Sequence, residues 1–220
     1  EEALERALAL FPEVSCDLIY MLPGQTVSDW RAALQTSLAK VGYQLSLYQL
    51  TIEAGTAFHR EAEAGRIVLP DGDRAADLYA LSQELCDAAG LPAYEVSNHA
   101  ALSYRCRHNL TYWQGGDYVG VGPGAHGRRS EGGNRIATRQ YRNPATWSDA
   151  VRQYGHGTET SETLDRTREI EETFLFGLRT VDGISRKRFR ALFDQEPEKG
   201  CESESLAVLK RDGLVECDAE

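Results

Sequence analysis

Val14-Ser15-Cys16-Asp17-Leu18-Ile19-Tyr20 is an apolar run broken by a single carboxylate, and it reads as a strand. Leu22-Pro23-Gly24-Gln25 follows as a loop. Thr26 then caps a helix, with Asp29 three residues on in the manner of a capping box. Val27, Trp30, Leu34 and Leu38 give that helix an apolar stripe, Gly42 ends it, and Leu45 to Ile52 reads as a second strand. Strand, helix and strand at this spacing form a βαβ unit, which brings the two strands parallel. Apolar residues on both faces of each strand fit a covered sheet or a barrel.

Working outward, Glu2 to Leu10 reads as the end of a helix that begins without Met or an N-cap, so the expectation is a chain cut from something longer. On the other side, Glu53-Ala54-Gly55-Thr56 breaks the second strand and Ala57 to Ala64 forms a short helix ended by Gly65. Pro70-Asp71-Gly72-Asp73 opens a longer helix with Leu78, Leu81 and Leu85 inward, stopped by Gly90 and Pro92. Tyr94 to Ser97 reads as a strand. From Cys106 to Gly127 the chain packs two histidines, two tyrosines, one of its three tryptophans and six of its twenty glycines. Within it, Tyr118 to Gly122 reads as a short strand and Gly122 to Gly127 as a turn, where glycine permits close backbone approach or a positive φ.

Residues 128–142 are polar and loop-like, and Asn143-Pro144 starts a helix with Trp147 and Val151 on one side. The run from Gly155 to Thr163 reads as a linker. Beyond it come a helix over 166–179 with Ile170, Phe174 and Leu178 inward, and a second, capped by Ser185, carrying Phe189, Leu192 and Phe193. A third holds Leu206 and Leu209, and Gly213 stops it before Leu214-Val215-Glu216. Short helices leading into a strand suggest a winged-helix-like module without its full wing, which points to truncation at this end too. The expected organisation is a barrel portion over 1–127, a linker with a short helix over 128–162, and a helical domain over 163–220.

With 220 residues and 41% hydrophobic content the composition is that of an ordinary soluble globular protein. A net charge of −10 argues against broad binding to nucleic acid or to an anionic membrane. No apolar run reaches membrane-span length. Cys16, Cys86, Cys106, Cys201 and Cys217 have neither zinc-site nor cluster spacing, and their odd number without a secretory signal makes a reduced cytoplasmic setting the default.

Several residues invite chemistry, each with a plainer alternative. Asp17 inside an apolar strand is either a site residue near a barrel strand's end or a carboxylate bonded to backbone or arginine. Glu53, just past the second strand, is a site residue or a solvated loop acid. His59 reads as surface, His156 as linker, and His99 as a loop or capping histidine. His108 and His126 stand out by their company: a histidine beside Asn109, Tyr112 and Trp113 suits an axial ligand or ring partner for a porphyrin, and equally an ordinary core corner. Arg186, Lys187, Arg188 and Arg190 form the densest basic patch, either a phosphate-facing surface or a solvated helix face.

Taken together, these stretches resemble the HemW family of radical-SAM haem chaperones, relatives of the oxygen-independent coproporphyrinogen III oxidases. Asp17 to Thr26 resembles the family's DLIYGLPGQT segment, with Met21 in place of the usual Gly. Leu45 to Glu53, with Gly55-Thr56, is similar to its next strand, and Tyr94 to Ala100 to its YEISNHA segment. His108 to Trp113 matches HNxxYW, and Gly120 to Gly127 matches GxGPGAHG. The resemblance covers residues 1 to about 180 well and the remainder more loosely.

The resemblance implies an α/β fold: the C-terminal part of a radical-SAM partial (β/α)6 TIM-like barrel, followed by a small helical, winged-helix-like domain of HemN C-terminal type. It implies that Asp17 contacts the ribose of S-adenosylmethionine, that Thr51 and His126 line the same cofactor, and that His108, Asn109, Tyr112 and Trp113 handle haem, with His108 as candidate iron ligand. The family's CxxxCxxC loop, which holds a 4Fe–4S cluster, is expected upstream of residue 1. The implied function is a haem chaperone that delivers haem to recipient haem proteins of unknown identity, as a monomer or homodimer, in the cytoplasm. The alternative is oxidative decarboxylation of coproporphyrinogen III in porphyrin biosynthesis. The HNxxYW run favours the chaperone, because the oxidases resemble this chain without it. A DNA-binding winged-helix protein is a third class, disfavoured by the charge and the missing wing.

Overall fold

The computed structural model describes residues 2–218, and the chain divides into two compact units, Glu1–Cys106 and Arg107–Glu220. The first runs α1 (Glu2–Leu10), β1 (Ser15–Tyr20), α2 (Val27–Leu38), β2 (Gln44–Gln49), α3 (Ala57–Glu63), α4 (Gly72–Ala88) and β3 (Asn98–Ala100). The second runs α5 (Arg107–Trp113), β4 (His126–Glu131), β5 (Asn134–Gln140), α6 (Pro144–Tyr154), β6 (Thr158–Thr163), α7 (Arg166–Gly177), α8 (Arg186–Phe193) and α9 (Ser203–Arg211).

The βαβ expectation holds. β1 and β2 pair in parallel from Ser15↔Gln44 to Tyr20↔Gln49, and β3 joins β2 antiparallel. The Thr26 side chain accepts from the Asp29 amide while the Asp29 carboxylate accepts from the Thr26 amide, so the capping box forms. Trp30 and Leu34 bury against Tyr20, Leu45, Leu47, Leu78, Leu81, Cys86 and Leu91. The Trp30 ring stacks on Tyr20 at 5.0 Å, and its indole N–H donates to Ser82 Oγ at 2.8 Å. A buried indole needs such an acceptor, and Ser82 is itself anchored by donating to the Leu78 carbonyl.

Both faces are covered on β2, where Leu45, Ser46 and Leu47 are all buried, but not on β1 among the described residues. α2 and α4 cover the face of Cys16, Leu18 and Tyr20, whereas Ser15, Asp17 and Ile19 are exposed on the other. The third strand lies at Asn98–Ala100 rather than at Tyr94 to Ser97, because His99 bridges back to Ala93 and Tyr94 to Ser97 form the turn between.

The largest departures lie in the second unit. Residues 128–142 are not loop and 158–163 are not linker: β4, β5 and β6 form an antiparallel sheet, turned at Gly132-Gly133. These strands are polar, held by cross-strand charge pairs such as Arg139–Glu159 at 3.0 Å, so they lack the apolar alternation that reveals a half-buried strand. The break in contacts falls before α5, ahead of the expected boundary after Gly127. Leu214-Val215-Glu216 forms no strand and Leu214 is exposed. Leu178 is exposed rather than inward, and Leu192 is exposed too; the helical core is Phe174, Phe189 and Phe193, with Gly200 pressed against Ile170 and Phe174.

Candidate functional site

The HNxxYW residues all lie on α5. Residues four apart share a helix face, so the motif is two stripes: His108 with Tyr112, and Asn109 with Trp113. His108 is exposed and meets the half-buried Tyr112 edge-on at 4.8 Å; Tyr112 continues to Tyr118 at 4.4 Å. Trp113 faces α7 instead. Its ring lies 6.0 Å from Phe176 and beneath the Arg179 guanidinium at 4.4 Å, a cation–π contact worth about 0.5–2 kcal/mol. Its indole Nε1 is buried with no hydrogen-bond partner among the described residues. The structure thus brings His108 and Tyr112 together, while Trp113 serves the packing of α5 on α7. The core-corner alternative applies to Trp113 and fails for the exposed His108.

Behind Tyr112 and Trp113 lies a cavity of about 780 Å³, bounded by α5 and its following turn, the β4–β5 hairpin, α7 and α8. Two ion pairs line it. Arg128 grips Glu172 bidentately at 3.0 and 2.7 Å, and this pairing raises the half-buried guanidinium above its ordinary pKa. Arg135 pairs with Asp117 and donates to the Gly116 carbonyl at 2.7 Å. Asp117 also accepts from the Ser130 amide at 2.8 Å, which leads the effects holding its carboxyl below the usual range. Burial pushes the Glu169 carboxyl up.

The glycines of the 120–127 turn have a structural cause. A Cβ on Gly120 would fall 2.3 Å from the His126 carbonyl oxygen, and one on Gly127 would fall 3.0 Å from the Gly120 nitrogen. The segment lies against the start of β4 backbone to backbone, so these two glycines permit chain–chain contact. His126 itself is exposed at the first position of β4.

In the first unit, Asp17 is exposed on the open sheet face and accepts no hydrogen bond from the described residues, so no burial penalty falls on it. Its register partner is Ser46, whose partner in turn is Asn98. Ser46 Oγ donates to Asn98 Oδ1 at 2.9 Å, and the Asn98 amide donates to the buried Glu95 carboxylate, which also accepts from the Ser97 amide. This polar row was not anticipated; its only mark in the sequence is a serine and an asparagine inside otherwise apolar segments. Thr51 is exposed just past β2. Glu53 is a turn residue whose carbonyl receives Thr56 Oγ1 at 2.7 Å. His99 is fully buried on β3, its pKa lowered chiefly by that burial. Two of the four cations of the basic patch are paired: Arg186 binds Glu196 and Glu198, and Arg190 binds Glu196.

No protein-family profile matches the chain. Curated proteins do. The chain is 40% identical over 192 residues to radical S-adenosyl methionine domain-containing protein 1, mitochondrial, of Mus musculus, covering 85% of this chain and 43% of that one. It is 34% identical over 214 residues to the heme chaperone HemW of Bacillus subtilis, covering 97% and 55%. The chain belongs to the HemW-like radical-SAM family.

This HemW-like chain spans about half the length of the curated relatives it matches. Among solved structures, the radical-SAM coproporphyrinogen III oxidase HemN of Escherichia coli superposes with a TM-score of 0.75 at 17% identity, over 100% of this chain and 53% of that one. The likeness shows the fold: the α/β C-terminal part of a radical-SAM protein. Among the described residues no group of His, Cys, Asp and Glu side chains is placed to hold a metal, so the family's 4Fe–4S cluster finds no ligand set there. The exposed Asp17 carboxylate, by contrast, suits a ligand's hydroxyl groups. No helix among the described residues is long and apolar enough to cross a membrane.

Proposed function

We propose that the intact protein is a haem chaperone of the HemW type, which binds haem through α5 and passes it to recipient haem proteins. The observation that carries this is the exposed His108 imidazole standing edge-on to Tyr112, an available ligand beside an aromatic ring, in a chain whose bacterial relatives are named heme chaperone. Histidine is a common axial ligand of haem iron, and an exposed one is free to approach it.

S-Adenosylmethionine fits the open face of the first sheet. Asp17 would accept the two ribose hydroxyls, each charge-assisted bond contributing about 1.5–3 kcal/mol, with Thr51 lining the same ligand. When bound, that cofactor supplies one-electron chemistry; Asp17 supplies orientation. The setting we infer is a reducing one, the cytoplasm, in keeping with five free cysteines; the animal relatives carry mitochondria in their names. Decarboxylation of coproporphyrinogen III is supported by likeness of fold alone.

The test is His108→Ala in the intact protein. We expect a displaced Soret band and about ten-fold or greater loss of haem affinity, with melting little changed because the ring is exposed. An unaltered haem spectrum and affinity in the folded variant removes His108 as ligand. Asp17→Asn should weaken S-adenosylmethionine binding without loss of fold, and wild-type affinity would refute the Asp17 assignment. Coproporphyrinogen turnover under anaerobic, reducing conditions would favour the oxidase instead.

A further inference from the structure

We propose that Cys201 and Cys217 are a redox-active dithiol: a small disulfide such as oxidised glutathione closes them into a disulfide that clasps the tail after α9 to the helical core, and a small thiol reopens it. Neither residue takes part in the haem and S-adenosylmethionine sites described above.

The chain makes a short out-and-back path between the two cysteines. Cys201 follows the one-turn 3-10 segment Pro197–Gly200, and α9 begins at Ser203. A Cβ on Gly200 would fall 3.0 Å from side-chain carbons of both Ile170 and Phe174, so Cys201 leaves directly from the packed helical core. After α9 the chain reverses. Gly213 has φ +70°, its amide donates to the Lys210 carbonyl at 3.2 Å, and the Leu214 amide donates to the Leu209 carbonyl at 2.9 Å, the pattern of a helix closed by a left-handed glycine. The nine residues of α9 advance about 13 Å, and the stretch from Leu214 to Cys217, if extended, covers about the same distance in return. Arg186 fastens the returning end: its Nε donates to the Asp218 carbonyl at 2.6 Å and its Nη1 to the Glu198 carboxylate at 3.0 Å. One guanidinium thus holds the residue after Cys217 to the segment that leads into Cys201.

Exposure sets the order of reaction. Cys217 is exposed and Cys201 is half-buried. Burial leads the effects that push the Cys201 thiol up, and the Glu198 carboxylate and Cys217 add to it, so the two sulfurs lie within electrostatic reach of one another. Cys86, by contrast, is fully buried with its thiol pushed up to about 12, and the charge that acts on it is Asp87 rather than another sulfur. The thiolate is the attacking form and access governs which thiol meets the oxidant, so Cys217 reacts first. Its thiolate attacks one sulfur of oxidised glutathione, the S–S bond of the oxidant breaks, and one glutathione thiol leaves. Cys201 then gives up its proton to solvent and attacks Cys217 Sγ, and the second glutathione leaves and is protonated. Two protein thiols and one oxidised glutathione become one protein disulfide and two glutathione thiols; the protein is oxidised by two electrons and the glutathione is reduced. In the reducing setting inferred above the dithiol is the resting form, and the disulfide forms as the small-thiol pool becomes oxidised.

The experiment uses the intact protein, reduced, freed of reductant, incubated with oxidised glutathione, alkylated and digested, with the peptides read by mass spectrometry. We expect a cross-linked peptide pair joining Cys201 to Cys217, with loss of both thiols and their return on adding dithiothreitol. In Cys201→Ser nothing completes the second step, so a glutathione adduct on Cys217 should accumulate on the order of ten-fold above its level in wild type, where the neighbouring thiol displaces it. Circular dichroism checks that this near-isosteric variant is folded. The cross-link should also form in higher yield in the native protein than in urea, because the fold holds the thiols together. If wild type keeps the same glutathione adduct as Cys201→Ser, if Cys217 pairs instead with another cysteine, if both thiols stay reduced, or if the yield is no higher in the native protein than in urea, the dithiol assignment is overturned.

Discussion

Glycine at position 21 should be better tolerated than alanine, reversing the usual order for these two residues. Met21 follows the last residue of β1 and has φ +63°, a left-handed conformation that L-residues adopt at a penalty of about 1–2 kcal/mol. The surroundings impose it. Tyr20 is fixed by stacking on Trp30 and by its carbonyl accepting from the Leu50 amide at 2.9 Å. On the other side the Leu22–Gln25 turn closes through Gln25 N to Leu22 O at 3.0 Å. The chain must reverse out of the strand within one residue, and that residue is Met where the family pattern has Gly. The Met side chain packs partly against the core, and this offsets the strain by roughly 1 kcal/mol.

Met21→Ala keeps the strain and loses the packing, so it should destabilise by about 1 kcal/mol. Met21→Gly loses the same packing and relieves about 1–2 kcal/mol of strain. It also gives up roughly 0.5–1 kcal/mol to the freer unfolded chain. Glycine should therefore exceed alanine by about 0.5–1 kcal/mol and lie close to wild type. In ordinary backbone the same comparison has the opposite sign. Urea midpoints of the paired variants at unchanged slope, or hydrogen exchange of the β1–β2 amides, would measure it. Alanine equal to or above glycine would mean that position 21 is not left-handed in the folded protein.

Two further outcomes follow from the buried polar groups of the first unit. Ser82→Ala removes the acceptor of the Trp30 indole and leaves a buried donor unpaired, so about 1–3 kcal/mol of stability should be lost; a change below about 0.5 kcal/mol would show that the bond is not needed. Burial keeps the His99 imidazole below its ordinary value, so the unfolded chain takes up a proton near pH 6.5, by a rough reference value, before the folded chain does. The stability linked to His99 is thus full above that value and is lost as pH falls through it toward the depressed folded pKa. His99→Gln should flatten this acid limb in urea midpoints measured down from neutral pH, and an unchanged limb would assign the acid loss to other groups.

The first unit was legible because its signals are short-range. Thr26 and Asp29 lie three residues apart, Trp30 and Leu34 are one turn apart, and β1 and β2 carry the apolar residues that the helices cover. The second unit's sheet was not legible, because its strands are stabilised by pairs such as Arg139–Glu159 rather than by a buried apolar face, and a polar strand has the composition of a loop. Leu178, expected inward, is exposed, and Leu192 on α8 is exposed too. A helical apolar stripe is taken to face a core, but among these helices part of the interior is a cavity, and Leu192 stands at its edge rather than in packed protein.

The motif on α5 shows the same limit at the site itself. As a string, HNxxYW groups four side chains; as a helix it separates them into a stripe that presents His108 through Tyr112 and a stripe that sets Trp113 against Phe176 and Arg179. Sequence spacing names the residues and the helix period divides them, but Tyr112 leans on the nearby Tyr118, whereas what lies under Trp113 comes from Phe176 and Arg179, more than fifty residues further on in the chain. On the haem reading proposed above, ligation and the anchoring of α5 are therefore separable within one motif. Trp113→Phe keeps a ring against Phe176 and Arg179 and removes the unpartnered indole N–H, whereas His108→Ala leaves that anchoring intact. If α5 works as its stripes are laid out, a loss of iron ligation belongs to the first stripe and a loss of helix stability to the second.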